Sequence, residues 1–259
     1  SQHIHGTDNA RCLISLALLC GQIGRSGTGI HPLRGQNNVQ GASDSGLIPM
    51  VYPNYLAVND KTNRSRFEHL WNVSLDPEPG LTVTEMTQAA LNKSIRGMYI
   101  MGENPAMSDP DLNHARTAFS QLDHLVVQDI FFTETAGFAD VIFPASAFPE
   151  KTGSFTNTDR RVQIGRQALD PPGDAKQDIW IIENLARKLG LNWNYNNVQE
   201  IFNELRVAND SISGISWENL NKHNSLTYPY NADEHKSESV LFQHNFPTPS
   251  GKARFIPAN

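Results

Sequence analysis

Three short apolar runs constrain this chain more than anything else in it: Gly97-Met-Tyr-Ile-Met101, His124-Leu-Val-Val-Gln-Asp129 and Asp140-Val-Ile-Phe-Pro144. Between the first two, residues 109–121 have helical spacing, with Asp109 as N-cap and Pro110 at the first position. Between the second and third, Thr133 to Phe138 is a short loop or helix. Strand, helix, strand, short helix, strand at this spacing predicts an α/β fold with a parallel sheet. Runs with so few polar positions suit strands buried on both faces. Further helices are expected over 8–23, with Asp8 as N-cap, and over 84–95, 178–189 and 198–206. Residues 152–163 and 207–246 read as polar, irregular chain, and Thr248 to Phe255 as a turn into a strand.

In an open α/β sheet, ligands bind beyond the carboxyl ends of the strands. Here those ends are Gly102-Glu-Asn-Pro105, Gln128-Asp129 and the residues after Phe143, all expected along one edge. Gly102 lets a ligand approach the backbone. Glu103, Asn104, Gln128 and Asp129 bring carboxylates and amides, which can accept the adjacent N–H donors of a guanine edge. The pattern is neither a Walker loop nor a dinucleotide fingerprint: no Gly-Lys-[Ser/Thr] is present, and Gly24-Arg-Ser-Gly-Thr-Gly29 follows a helix with the wrong glycine spacing.

Gly24 to Gly46 is a long Gly- and Asn-rich stretch without periodicity, a kind of segment that is usually functional or disordered. It carries Arg34, whose planar guanidinium can hold a carboxylate or phosphate through two parallel hydrogen bonds. By itself a single loop arginine is more often an ordinary surface residue. His3 and His5 form a His-x-His pair with no third metal ligand nearby, and Asp159-Arg160-Arg161 reads as a solvated turn. Cys12 and Cys20 are read as small buried hydrophobes on one helix face, too far apart for a disulfide. Two cysteines cannot ligate an iron–sulfur cluster here. A formal net charge of -6 without a basic block argues against nucleic acid as a partner. No run approaches the roughly 20 apolar residues of a membrane span.

Pro32-Leu-Arg-Gly-Gln-Asn-Asn-Val-Gln-Gly-Ala-Ser-Asp44 closely resembles the catalytic subunits of molybdopterin-dependent formate dehydrogenases. Gln2-His-Ile-His-Gly-Thr-Asp-Asn9, Val126-Val-Gln-Asp-Ile-Phe131, Thr133-Glu-Thr-Ala136 and Glu150-Lys-Thr-Gly-Ser-Phe155 agree in order. The likeness covers most of residues 1–195 and resumes near Thr248, while 207–246 match poorly. Residues 98–111 look most like the soluble NAD-linked group, which implies a cytoplasmic protein. Ser43 stands where some relatives have Cys.

The resemblance implies the parallel-sheet, Rossmann-like core of the molybdopterin oxidoreductase fold, present as an internal fragment with incomplete sheets that folds poorly alone. It implies formate oxidation to CO2 at a molybdenum or tungsten bis(molybdopterin guanine dinucleotide) centre. A 4Fe-4S cluster and the metal-ligating Cys or selenocysteine would lie upstream. Electrons would leave to iron–sulfur and flavin partner subunits and NAD. Arg34 matches the arginine that orients formate, with Gln36 beside the metal site. Gln2, Gly102, Glu103, Asn104, Gln128, Asp129 and Asp140 match the pterin-dinucleotide wall, and His3 and His5 become neighbours of pterin or substrate channel. Residues 1–36 are assigned to the end of one α/β cofactor domain. Residues 37–148 form a second α/β domain binding a pterin guanine dinucleotide, 149–247 a mainly helical and loop segment, and 248–259 the start of a truncated C-terminal barrel. Two alternatives stand beside this reading: another molybdopterin oxidoreductase such as a nitrate reductase, and a non-catalytic relative resembling the large iron–sulfur subunit of respiratory complex I.

Overall fold

The computed structural model describes residues 3–258. They divide into two compact units. One comprises Ser1–Gly41, Thr156–Gln163 and Ser211–Asn259, and the other Ala42–Phe155 and Ile164–Asp210.

The second unit holds the parallel sheet. Its strands are β1 (Gly97–Met101), β2 (His124–Asp129) and β3 (Val141–Pro144), adjacent in that order. Gly97 pairs with His124 and Met101 with Gln128; Val126 pairs with Val141 and Asp129 with Pro144. The α/β class and the parallel sheet expected from the apolar runs are therefore present. Only β2 is buried on both faces, through Leu125, Val127 and Gln128. Tyr99 and Met101 in β1 and Val141 and Ile142 in β3 are partly exposed, because these are edge strands of a three-stranded sheet. Ala106, Ala115, Phe119, Leu125, Val127 and Ala136 form the core beside the sheet.

The crossover helix is Leu112–Ser120, not 109–121. Asp111 is its N-cap, accepting from the His114 N–H, and Asp109 instead ends a separate turn, Pro105–Ser108. Val83–Leu91 opens with a reciprocal Thr82–Glu85 capping box. A helix that periodicity misses, Lys61–Trp71, starts where Asp60 accepts from the N–H groups of Thr62 and Asn63, and ends at left-handed Asn72. It buries Phe67, whose ring centroid lies 4.7 Å from Tyr52 and 4.9 Å from Trp71. Tyr52, Val58, Phe67 and Ala208 make a second core cluster. Arg66 fastens its outer edge, donating to both Asp210 carboxylate oxygens at 2.8 Å and to the Val207 carbonyl at 3.1 Å.

The first unit contributes fewer of the buried apolar side chains. Its helix Gly6–Leu19 starts at His5, so Asp8 lies inside the first turn and pairs with Arg11 at 3.1 Å. Cys12 and Cys20 are exposed, contrary to the buried reading, because this helix buries only Gly6. The polar stretch 152–163 is not a loop: Gly153–Thr156 and Arg161–Gly165 are strands, along which the chain passes between the units. Arg161–Gly165 pairs antiparallel with Ser225–Thr227. The supposedly irregular 207–246 also contains the helix Trp217–His223 and a short ladder between Tyr230–Asn231 and Lys236–Ser237. Thr248 to Gly251 does turn, closed by a 2.9 Å hydrogen bond from the Gly251 N–H to the Thr248 carbonyl, but no strand follows it among the described residues. Among those residues no helix is long and apolar enough to cross a membrane.

Candidate functional site

The strand registers bring Gly102, Asp129 and the residues after Pro144 to one edge of the sheet. The Gly102 N–H donates to the Gln128 carbonyl at 2.9 Å, and the Ala145 N–H to the Asp129 carbonyl at 2.9 Å. Gly102 then turns at φ +64, and beyond its own residue and its two chain neighbours no heavy atom of the described residues lies within 4 Å of where a Cβ would stand. The backbone here is both left-handed and open, a combination that glycine supplies at no steric cost.

Asn104 spans two loops. Its Oδ1 accepts from the Thr135 N–H at 3.1 Å and the Thr135 hydroxyl at 2.8 Å, and its Nδ2 donates to Glu134 Oε2 at 2.7 Å. That amide hydrogen bond holds the Glu134 carboxyl below the usual carboxylate range. Buried Thr135 passes the connection on by accepting from the Ala106 N–H at 3.0 Å. Asn104 is therefore a brace of the edge. Asp129 folds back in the same manner: its Oδ1 accepts from the Ile130 and Phe131 N–H groups at 2.7 and 3.1 Å. Glu103 is exposed on the turn itself.

Gln128 and Asp140 make contacts of their own within this unit. Gln128 is 0% exposed; its Nε2 donates to Asp178 Oδ1 at 2.7 Å and its Oε1 accepts from the Tyr99 hydroxyl. Lys151 completes this part-buried polar group, donating to Asp178 and to the Ser146 carbonyl. Burial, and then the charge of Asp178, push the Tyr99 phenol above its ordinary value. Asp140 sits at the opposite, amino edge of the sheet, where its Oδ2 accepts from the Leu125 N–H at 2.7 Å and lies 3.7 Å from His124 Nδ1. Ser146, two residues beyond β3, has a buried hydroxyl without a hydrogen-bond partner. No sequence signal marked it.

In the other unit, Arg34, Gly35 and Gln36 are exposed, and the Arg34 N–H donates to the Pro32 carbonyl at 3.0 Å. Gln2 lies outside the described residues. His3 and His5 make local contacts: the His5 N–H donates to His3 Nδ1 at 3.2 Å, and His3 Nε2 lies 3.3 Å from Asn9 Nδ2. Among the described residues no group of three or more His, Cys, Asp or Glu could hold a metal ion. Arg160, read as part of a solvated turn, adopts φ +66 and donates to the carbonyls of Tyr228, Glu238 and Ser239. It fastens the chain around 228–239.

An open glycine turn and the carboxylates of Glu103 and Asp129 at the carboxyl edge offer acceptors of the kind the N–H donors of a purine edge need. The family model for "Molybdopterin oxidoreductase" matches residues 1–188. The chain is 46% identical over 259 residues to the F420-dependent formate dehydrogenase subunit alpha of Methanocaldococcus jannaschii, covering 99% of this chain and 38% of that protein. It is 43% identical over 257 residues to the probable oxidoreductase YjgC of Bacillus subtilis (99% and 26%). It is 40% identical over 259 residues to formate dehydrogenase H of Escherichia coli (99% and 36%). Acetylene hydratase from Pelobacter acetylenicus shares the fold at TM-score 0.51 and 20% identity, over 75% of this chain and 27% of that one. The chain thus spans about a quarter to two fifths of the length of these relatives.

Proposed function

Since the chain belongs to the molybdopterin oxidoreductase family, we propose that it is part of the catalytic subunit of a formate dehydrogenase, the whole protein converting formate to CO2, a proton and two electrons. The observation that carries this reading is Arg34, exposed in the Pro32-Leu-Arg-Gly-Gln-Asn-Asn-Val-Gln-Gly41 loop. A guanidinium there holds the formate carboxylate through charge-assisted hydrogen bonds and aims its C–H bond. The names of the relatives from M. jannaschii and E. coli support formate as substrate.

The carboxyl edge of the sheet takes the guanine nucleotide end of the cofactor. Gly102 admits it to the backbone, Glu103 and Asp129 accept its N–H donors, and Asn104 keeps the turn in shape. Gln128 supports this edge from below, and Asp140 stands apart from it. Gln36 lines the substrate loop two residues beyond Arg34. When bound, a molybdenum or tungsten bis(molybdopterin guanine dinucleotide), with a 4Fe-4S cluster ligated outside this chain, supplies the two-electron acceptor. The acceptor beyond it belongs to partner subunits. Reduction of NAD against reduction of F420 by the assembled enzyme decides between the acceptor implied by residues 98–111 and the one named in the M. jannaschii relative.

In the full-length enzyme, Arg34→Ala is expected to lower kcat/KM for formate by about 100-fold or more while leaving metal content unchanged. Arg34→Lys recovers little, because a point charge does not reproduce a bidentate fork. Wild-type turnover in Arg34→Ala, or nitrate-dependent but not formate-dependent dye turnover in the wild type, overturns the reading.

A further inference from the structure

From Gly21 to Gly35 the chain contains neither helix nor strand, so something other than a backbone ladder must hold Arg34 in place. Two side-chain contacts flank it. Three residues before it, His31 Nε2 lies 3.0 Å from the Thr158 hydroxyl. Four residues after it, Asn38 Oδ1 accepts from the Thr156 N–H at 2.9 Å. Both end on the same turn, 156–160, which is itself closed by 2.9 Å hydrogen bonds from the Asn157 N–H to the Arg161 carbonyl and from the Arg160 N–H to the Asn157 carbonyl.

The Asn38 contact is the more tightly specified of the two. Asn38 stands at φ +62, a conformation asparagine tolerates better than most residues. Its Oδ1 is packed over Gly41 so closely that a Cβ there would lie 2.1 Å from it and 3.3 Å from Thr156 Oγ1. Gly41 therefore leaves room for the Asn38 side chain, and the Asn38 backbone aims that side chain at Thr156. Further back, Gln40 Nε2 donates to the Tyr228 hydroxyl at 3.4 Å, and the Tyr228 carbonyl is one of those Arg160 holds.

We propose that the 156–160 turn is the seat of the substrate arginine, and that Asn38, with His31 at the other foot of the loop, is a positioning residue for Arg34. This rests on the formate reading of Arg34. An arginine that aims a small substrate must be held within a fraction of an ångström, and a misplacement of about 1 Å can cost about 100-fold in rate. A loop of eight residues pinned at both feet loses most of the freedom that would allow such a misplacement.

The test uses the full-length enzyme. Asn38→Gly keeps the left-handed backbone and deletes only the acceptor. Asn38→Asp keeps the acceptor, and Thr158→Val removes the other hydrogen bond with little change of shape. Asn38→Gly and Thr158→Val are expected to raise KM for formate and to lower kcat/KM by about 10-fold. Amide hydrogen exchange over residues 30–38 should accelerate about 10-fold. Asn38→Asp should restore both to within about threefold of wild type. Unchanged exchange in Asn38→Gly and Thr158→Val overturns the seating of the loop. Faster exchange with unchanged kcat/KM overturns the role in positioning Arg34. Failure of the formate reading is seen separately, as a wild-type enzyme without formate turnover, and exchange still decides whether the turn seats the loop.

Discussion

Asn104 and Thr135 meet twice: one amide oxygen accepts both the backbone N–H, at 3.1 Å, and the hydroxyl, at 2.8 Å. The two residues follow different strands of the sheet, so one side chain fixes the spacing of two loops at the edge where ligands of α/β proteins bind.

Replacing Asn104 by Ala leaves the Thr135 donors without their acceptor, an expected loss of about 1–3 kcal/mol. Asn104→Asp keeps that acceptor but sets a second carboxylate against Glu134, whose own carboxyl is held low by the native amide. Like charges raise the folded pKa of such a pair, so the lost stability should return as pH falls through the carboxylate range. Denaturant unfolding of both variants at pH 7 and pH 5 checks this; equal losses at the two pH values would refute it.

Gly102→Ala meets no atom, yet it forces a Cβ into the left-handed region at a cost of about 1–2 kcal/mol. Gly102→Asn tolerates that conformation but extends a side chain over the edge. If the edge carries the cofactor nucleotide, Asn should lower cofactor content of the purified full-length protein more than Ala while destabilising it less. Metal and pterin analysis beside a thermal melt separates the two effects.

The Arg66 hydrogen bond to Asp210, aided by its charge, lowers the Asp210 pKa below its ordinary 3.8. A depressed carboxyl contributes stability that is fully present above the unfolded value and lost as pH falls through the folded one. The pair is largely exposed, so its contribution is expected to be no more than about 1 kcal/mol and weakened by salt. Asp210→Asn should thus reduce stability at pH 6 and cost progressively less as pH falls through the folded pKa, as read from unfolding midpoints against pH.

Phe67 is 0% exposed, between Tyr52 and Trp71. Phe67→Ala is expected to cost about 3–5 kcal/mol, and Phe67→Leu appreciably less. A denaturation midpoint within error of wild type for the Ala variant would mean that this cluster does not hold the helix Lys61–Trp71 in place.

The parallel sheet was legible because its signal is local: three apolar runs with a crossover between them leave few other arrangements. The edge residues followed from the registers. What the sequence concealed was which side chains face a ligand and which brace the structure. Asn104, Gln128 and Asp140 are chemically suited to either, and their hydrogen bonds to Thr135, Asp178 and Leu125 could not be read from the sequence. The helix Lys61–Trp71 escaped notice because its buried face reduces to Phe67 and its neighbours, although the Asp60 cap and the turn at Asn72 were there to be read. The strands at 153–156 and 161–165 escaped because they are largely polar, each with a single buried residue, Thr156 and Val162. The N-cap expected at Asp109 is instead Asp111, two residues later. The helix expected over 178–189 is Asp178–Lys188, and it buries Ile181 and Ala186.

The unit that carries Arg34 is discontinuous, built from residues before Gly41 and after Ser211 with one hairpin between them. Its pieces touch backbone to backbone: a Cβ on Gly24 would lie 2.5 Å from the Phe242 carbonyl oxygen. During synthesis at about 5–20 residues per second, residues up to Gly41 therefore wait roughly 8–34 s for the part of their unit that begins at Ser211. The other unit has nearly all of its chain by then. The arginine loop thus meets the 156–160 turn first, and the residues beyond Ser211 close the rest of its unit only afterwards.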